Sequence, residues 1–226
     1  MAMSNVGRVD RVNLRDHVSH ALRASIISGE LEPGVVYSAP SLGARFGVSA
    51  TPVREAMQDL VRENLVEIVR NKGFRVTEIS EQDLDEITHL RLLIEPPVVR
   101  AVTPSIPNED FPGLREMAQA IVGWAAVGDL VEYTEADRQF HLELLSYAHN
   151  TRMWNLVSDL RAHTRLYGLS SMLERGELED TAREHLTILD TIESRDESAV
   201  ESVMREHIVK TRGRWAKPAE EGTDSQ

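Results

Sequence analysis

The sequence of 226 residues contains no cysteine. Disulfide bonds, thiolate metal sites, iron–sulfur clusters and cysteine nucleophiles are therefore excluded together. The chain also lacks any run of about 18 consecutive apolar residues, which a membrane-spanning helix needs. Its first residues lack the apolar core of a secretory signal peptide. These absences predict a cytoplasmic protein without a membrane segment.

The net charge of −12 is distributed unevenly along the chain. Residues 1–80 carry ten Lys and Arg against nine Asp and Glu, whereas residues 81–226 carry fifteen against twenty-eight. Only the first third can approach a polyanion without strong repulsion. The asymmetry predicts two domains with different functions.

The amino-terminal third has the pattern of a winged helix-turn-helix. Apolar residues at helical spacing predict helices over about 9–28, 40–46 and 49–64, with Gly47 ending the second. Two β-prone runs flank Asn71-Lys72-Gly73, which predicts a hairpin. A small three-helix domain that does not bind DNA would give much of the same pattern, so this alternative stays open.

In a winged helix-turn-helix, the third helix lies in the major groove and the hairpin touches backbone or minor groove. Arg54 in the first turn of that helix can reach O6 and N7 of a guanine. Ser49 and Thr51 can bind phosphate beside the amides of the helix terminus. Three basic residues are further candidates for phosphate contacts: Arg45, Arg70 and Lys72.

Three segments carry a resemblance to a known family: GELEPG at 29–34, FGVSATPVREAM at 46–57 and NKGFRV at 71–76. They resemble the DNA-binding domain of GntR-family bacterial transcription regulators. The chain departs from the family pattern at Ala50, where Arg is usual, and near Ala39, where an acidic residue is usual. The missing Arg removes one guanine contact, so we expect an operator that differs from the commonest sites of the family.

After residue 80 the pattern is helical throughout. Helical stretches are predicted over about 81–102, 109–127, 130–149, 151–169, 179–194 and 196–215, the first capped by Ser80 with Asp83. A core stripe is predicted in the fourth: Met153, Trp154, Leu156, Leu160 and Leu166. The mostly α chain is thus divided into a DNA-binding domain at 1–78, an all-α six-helix bundle at 79–216 and a disordered tail at 217–226.

Four residues of the helical domain form a candidate metal site. Asp137 and His141 lie four apart and share one face of a helix. His185 and His207 each lie eleven residues from Asp196, where a turn is predicted, so antiparallel helices place them at equal height. Three imidazoles and one carboxylate suit Zn²⁺, Ni²⁺ or Mn²⁺ with open positions. Ordinary solvated or core residues remain the alternative.

Residues 81–215 resemble the effector-binding and dimerisation domain of the FadR-type branch of the GntR family, called FCD, with all four positions matched. The count of six helices resembles the VanR-like subgroup. The resemblance implies one divalent transition metal per chain, with zinc expected and nickel or manganese as alternatives. It also implies a small carboxylate effector, a homodimer and double-stranded operator DNA as partner.

Arg91 and Glu95 match a further pattern of the family. Arg91 is the candidate for binding the carboxylate of the effector, and a surface ion pair with the neighbouring Glu is the alternative. Together these features predict a metabolite-responsive regulator, with repression as the usual outcome in the family.

Two alternative hypotheses remain for the helical domain: that it is a metalloenzyme, or that its metal has a purely structural role. An Asp/His₃ site with open positions can activate water. The sequence has no HExxH, no serine nucleophile motif and no Gly-rich phosphate loop. Glu184 adjoins His185, and Glu143 lies two positions after His141, but both point away from those ligand positions, because each step along a helix turns by about 100°. We therefore expect no enzymatic activity.

Overall fold

The computed structural model of this chain describes residues 9–164 and 168–215. The tail predicted at 217–226 lies outside these residues. The contacts of the chain divide it into two compact units, with the boundary between Ile79 and Ser80. Within the described ranges, no helix is both long and apolar enough to cross a membrane.

The amino-terminal unit combines three helices with a small antiparallel sheet of strand order β1-β3-β2. Its elements are α1 (Val9–Ile27), β1 (Val36–Tyr37), α2 (Ala39–Phe46), α3 (Ala50–Arg62), β2 (Val66–Val69) and β3 (Gly73–Val76). The hairpin of β2 and β3 was predicted, whereas β1 was missed because two residues are too few to show an alternating pattern. Val36 and Tyr37 pair with Arg75 and Phe74.

The turn between α2 and α3 depends on two glycines. Gly47 ends α2 at a positive φ of 68°. A Cβ on Gly43 would lie 2.7 Å from the carbonyl oxygen of Val48, so a larger residue would push the two helices apart. Ser49 then precedes α3 as its N-cap residue. The apolar face of α3 is buried through Val53 and Met57, as its periodicity predicted.

All the regular secondary structure in the described residues of the carboxy-terminal unit is helical. Its helices are α4 (Glu81–Val102), α5 (Phe111–Val127), α6 (Leu130–Ser146), α7 (Thr151–Thr164), α8 (Leu169–Glu174), α9 (Leu178–Glu193) and α10 (Glu197–Trp215). Ser80 and Asp83 form the expected capping box at the start of α4. Large side chains such as Phe140, Leu144 and Met172 are fully buried in this unit.

Within residues 80–164 and 168–215, which the structure describes, this unit has seven α-helices rather than the six predicted. The additional helix, α8, has six residues and lies between Gly168 and Gly176, both at positive φ. Six residues are too few to establish a helical period, so the sequence pattern did not reveal it. The likeness to the VanR-like subgroup, which depended on that count, loses this support.

Of the predicted core stripe, Leu160 is buried, Met153 and Trp154 are half-buried, and Leu156 is not in the core. Leu156 on α7 is 47% exposed, although its neighbours Val157 and Leu160 are buried. Leu166 lies outside the described residues.

Candidate functional site

The six predicted DNA-contacting side chains are all exposed: Arg45, Ser49, Thr51, Arg54, Arg70 and Lys72. Arg45 is engaged in an ion pair with Glu30, with 3.0 Å between Nη2 and Oε2. Ser49 makes no capping hydrogen bond through its hydroxyl. In the part of the chain that the structure describes, Arg54, Arg70 and Lys72 take part in no ion pair. Three cationic groups are thus available to a polyanion without first breaking a contact.

The four candidate metal ligands converge inside the helical unit. Asp137 and His141 come from α6, His185 from α9 and His207 from α10. One potential ligand atom from each residue lies within 4.8 Å of all the others. The three histidines are buried, and the side chain of Asp137 is 24% exposed. The four side chains therefore surround one small region, which solvent can reach on the side of Asp137.

The shortest distances in the cluster join atoms that carry lone pairs. Nε2 of His185 lies 2.9 Å from Oδ1 of Asp137 and 3.1 Å from Nε2 of His141. Nε2 of His141 is 3.8 Å from the same Oδ1. The rings of His185 and His207 meet with their centroids 4.7 Å apart, as their equal distance from the α9–α10 turn predicted.

The hydrogen bonds at Nδ1, the ring nitrogen that points away from the cluster, determine the tautomers of His185 and His207. They therefore determine which ring nitrogens carry the lone pairs inside the cluster. Nδ1 of His185 lies 3.0 Å from the carbonyl oxygen of Ala182, to which it donates a hydrogen bond. Nδ1 of His207 donates to Oε2 of Glu184 at 2.8 Å. In neutral rings with these tautomers, Nε2 carries the lone pair. Nδ1 of His141 is buried and has no hydrogen-bond partner within the described residues.

A buried network of alternating charge supports the cluster from one side. Nε of Arg91 donates to Oε1 of Glu95 at 2.7 Å, and Arg161 pairs with the other carboxylate oxygen of Glu95. Arg161 also donates from Nη1 to Oδ2 of Asp137 at 3.1 Å. Glu95 has no exposed surface, and both arginines are only 4% exposed. The network thus joins α4, α7 and α6 behind the metal-ligand candidates.

This network corrects one alternative drawn from the sequence and adds one residue. Arg91 does pair with the neighbouring Glu95, but the pair is buried rather than on the surface. Arg161 was missed by sequence reasoning. Its partners lie 66 and 24 positions away, so no local spacing marks it.

Burial and neighbouring charges shift the ionisation of these groups. Burial would raise the pKa of Asp137, but the positive charge of Arg161, whose Nη1 donates to Oδ2 of Asp137, holds that pKa well below its usual range. Burial, together with the charge of Arg161, lowers the pKa of His141 well below 6.5. Burial likewise lowers the pKa of His207 to about 4, even though the bond to Glu184 acts against it. Near pH 7 these three groups therefore have the ionisation states that bind metal ions.

A cavity that is partly open to solvent adjoins the cluster. Asp137 and His207 form part of its wall. The remaining lining residues combine three arginines with hydroxyl and apolar side chains: Arg91, Arg138, Arg161, Tyr133, Thr134, Thr211, Leu169 and Met172. A small molecule in this cavity would reach both the candidate ligands and the guanidinium groups.

Both units match known domains. Residues 14–76 match the bacterial regulatory proteins of the gntR family, and residues 86–210 match the FCD domain. The chain belongs to the GntR family. It is a DNA-binding transcription regulator with an FCD domain, as the sequence motifs predicted.

Relatives extend over most of this GntR-family chain. The HTH-type transcriptional regulator McbR of Escherichia coli (strain K12) is 24% identical over 206 residues, which cover 90% of this chain and 93% of McbR. A probable D-xylose utilization operon transcriptional repressor of Paenarthrobacter nicotinovorans is 28% identical over 204 residues, which cover 89% of this chain and 88% of that repressor. These relatives are transcription regulators and not enzymes, which agrees with the expectation from the sequence.

Solved structures of GntR-type regulators share the fold. E. coli McbR/YncC superimposes with a TM-score of 0.66 at 23% identity, covering 88% of this chain and 95% of that one. A putative transcriptional regulator GntR from Rhodococcus sp. RHA1 gives a TM-score of 0.63 at 23% identity, covering 88% and 96%. At this identity the likeness concerns the fold alone.

Proposed function

We propose that this GntR-family regulator is a cytoplasmic, metabolite-responsive repressor that binds one divalent transition metal per chain in its FCD domain. Zinc is the expected metal, and nickel and manganese are the alternatives. The observation that carries the proposal is the convergence of Asp137, His141, His185 and His207, with one potential ligand atom of each within 4.8 Å of the others.

The spacing of these atoms fits a metal site. Two nitrogens bound to one zinc at about 2.0–2.1 Å lie roughly 2.9–3.4 Å apart when their angle is between 90° and tetrahedral. Nε2 of His141 and Nε2 of His185 are 3.1 Å apart. Nδ1 of His185 donates to a backbone carbonyl, so the lone pair of its Nε2 faces an anionic oxygen of Asp137. A cation bound between these atoms would remove the repulsion at all of them. A proton on Nε2 of His185 would remove it only at one of the two contacts, with Asp137 or with His141.

The cavity beside the cluster supports a small carboxylate as effector. A metal ion held there would supply a positive centre with open positions for carboxylate and hydroxyl oxygens. Arg91 faces the same cavity and is the proposed contact for a carboxylate. A guanidinium binds a carboxylate by two parallel hydrogen bonds, which gives direction as well as affinity. Tyr133, Thr134 and Thr211 add hydroxyl groups that can select among acids.

In the DNA-binding domain, we propose that α3 enters the major groove and that the hairpin of β2 and β3 follows the backbone. Arg54 is the proposed reader of a guanine, and Ser49, Thr51, Arg70 and Lys72 are proposed phosphate contacts. Arg45 can contribute only after it exchanges Glu30 for a phosphate, because the two are paired.

We further propose a homodimer that binds a pseudo-palindromic operator. Exposed leucines on two helices that pack together support an interface on that side of the FCD domain. Leu90 and Leu93 on α4 are 43% and 61% exposed, and Leu156 on α7 is 47% exposed. Large exposed apolar side chains are candidates for an interaction site. Two-fold symmetry of the protein would then match that of the operator.

The test begins with tag-free protein purified without added metal. Elemental analysis of the wild type and of His185→Ala measures metal per chain, with His149→Ala as the control because His149 is not part of the cluster. Operator duplexes are then obtained by selection from a random library. Their affinity is measured at one fixed salt concentration for metal-free protein, zinc-loaded protein and zinc-loaded protein with small hydroxy-acids.

The proposal expects about one metal per chain in the wild type and in His149→Ala, and none in His185→Ala. It also expects at least one acid to change operator affinity through the zinc-loaded protein only. By linkage, the operator must then change the affinity for that acid by the same factor. Metal without any effect of acids would reduce the site to a structural role. Absence of metal after incubation with zinc would refute the site itself.

A further inference from the structure

The metal-ligand candidate His207 is held from behind by a carboxylate on the neighbouring helix. Nδ1 of His207 on α10 donates a hydrogen bond of 2.8 Å to Oε2 of Glu184 on α9. The ring is 4% exposed and the Glu184 side chain is 20% exposed. A charge-assisted hydrogen bond in so sheltered a place is stronger than one in water.

Two successive residues of helix α9 therefore contact the cluster. His185 contributes a candidate ligand, and Glu184 contacts the ring on α10. Successive residues on a helix point about 100° apart, so one of them can face the cluster while the other reaches around His207. Glu184 is thus excluded as a group that touches the centre, but it is well placed to orient a group that does.

The three histidines differ in what holds their outer nitrogen. His185 donates to a backbone carbonyl within its own helix, and His141 has no partner at Nδ1 within the described residues. Among these rings, the described contacts give a carboxylate at Nδ1 to His207 alone. His207 is also the histidine that forms part of the cavity wall. The histidine ring most accessible to a ligand in the cavity is therefore the one whose Nδ1 makes the strongest hydrogen bond, to a carboxylate.

We propose that Glu184 is a positioning residue for the metal centre, an inference that rests on the metal site of the proposed function. Its carboxylate fixes the tautomer of His207 with the proton on Nδ1 and keeps Nε2 directed at the other ligands. It also makes that nitrogen a better donor to a metal ion. Outer partners of this kind strengthen metal affinity by about 10- to 100-fold in other proteins.

The experiment compares full-length, metal-free wild type with Glu184→Gln and Glu184→Ala. Glu184→Gln keeps the shape and a neutral acceptor, whereas Glu184→Ala removes the acceptor. Glu179→Gln is the matched control, because Glu179 lies on the same helix and forms an exposed ion pair with Arg183. Zinc affinity is measured by competition with a chromophoric chelator. The visible absorption of the cobalt-loaded protein reports the ligand geometry, and urea unfolding of the metal-free protein reports stability.

We expect zinc affinity to fall about 10-fold in Glu184→Gln and up to about 100-fold in Glu184→Ala. The cobalt spectrum should change in both variants, and Glu179→Gln should match the wild type. Wild-type affinity and spectrum in both Glu184 variants would overturn the role of Glu184, even if stability falls, because the contact would then be structural only. A wild type that binds no zinc would refute the metal site, and the positioning role with it.

Discussion

Arg161 donates a hydrogen bond from Nη1 to Oδ2 of Asp137, at 3.1 Å, and leaves Oδ1 of that aspartate 2.9 Å from Nε2 of His185. The two oxygens of one carboxylate are thereby divided between a buried arginine and the histidine cluster. Arg161 in turn is paired with Glu95, which has no exposed surface. The position of Asp137 is therefore set by helices α4 and α7, although Asp137 itself belongs to α6.

Arg161→Met should destabilise the protein strongly. The methionine removes the positive charge that compensates Glu95 and Asp137, and a buried charge left without its partner costs about 3–5 kcal/mol. We expect a loss of that size in the free energy of unfolding of the metal-free protein, measured in urea. The proposed metal site should also weaken, because Asp137 would be free to turn.

The control for this variant is Arg183→Met. Arg183 pairs with Glu179 one turn away on α9, and their side chains are 59% and 48% exposed. Exposed pairs of this kind contribute roughly 0.3–0.5 kcal/mol. Equal losses in the two variants would contradict the importance of the buried network.

The stability of the network should depend on pH through Glu95. Burial would raise the pKa of Glu95, but the guanidinium groups of Arg161 and Arg91 outweigh burial and lower the pKa below its ordinary value of 4.5. A carboxyl with a depressed pKa stabilises the folded state above pH 4.5, and this contribution is lost as the pH falls through the lower folded value.

Glu95→Gln isolates this contribution. The variant should be less stable than the wild type near pH 7, and the difference in unfolding free energy should shrink as the pH falls from about 6 to 3.5. Urea unfolding with a metal chelator present measures both quantities. Glu179→Gln, at an exposed position, should follow the wild type at every pH. A difference between wild type and Glu95→Gln that stays constant with pH would show that Glu95 does not titrate in this way.

The sequence predicted well where function depends on local spacing. Asp137 and His141 lie four apart, and His185 and His207 are symmetric about a turn, so helix geometry alone brings them together in pairs. Gly47, which ends α2 before the tight turn, lies in the FGVSATPVREAM segment, and its position was predicted, whereas the close packing at Gly43 was not. Such features can be predicted when only one helix, or one pair of helices joined by a short turn, is predicted correctly.

Features that depend on distant packing could not be predicted. Arg161 meets Glu95 and Asp137 only because α4, α6 and α7 pack side by side. Leu156 continues the apolar pattern of α7 but faces away from the core, since periodicity cannot tell a buried face from one kept for a partner. Glu184 was set aside because it points away from the centre, and that same direction brings it to His207.

Arg54→Ala should weaken operator binding by about 1–3 kcal/mol and relax the preference for one base pair. The side chain is exposed on α3 and has no ion pair within the described residues, so its removal does not disturb the fold. Selection from a random duplex library, repeated with the variant, shows which base is no longer preferred. Lys72→Ala should instead weaken all sequences alike and reduce the salt dependence by about one charge. Equal weakening of every sequence by Arg54→Ala would assign that residue to the phosphate backbone.

Leu93→Glu should convert the proposed dimer into a monomer. Leu93 is 61% exposed on α4, and a glutamate there would place a charge from each chain inside an apolar interface. Val127→Glu is the matched control, because Val127 is 72% exposed on α5, next to the exposed Trp124. Analytical ultracentrifugation at micromolar concentration should find a dimer for wild type and Val127→Glu and a monomer for Leu93→Glu. The opposite pattern would move the interface to the side of α5, since a charge disrupts association only where the two chains exclude water. A wild type that is monomeric at this concentration would refute the dimer and the pseudo-palindromic operator that depends on it.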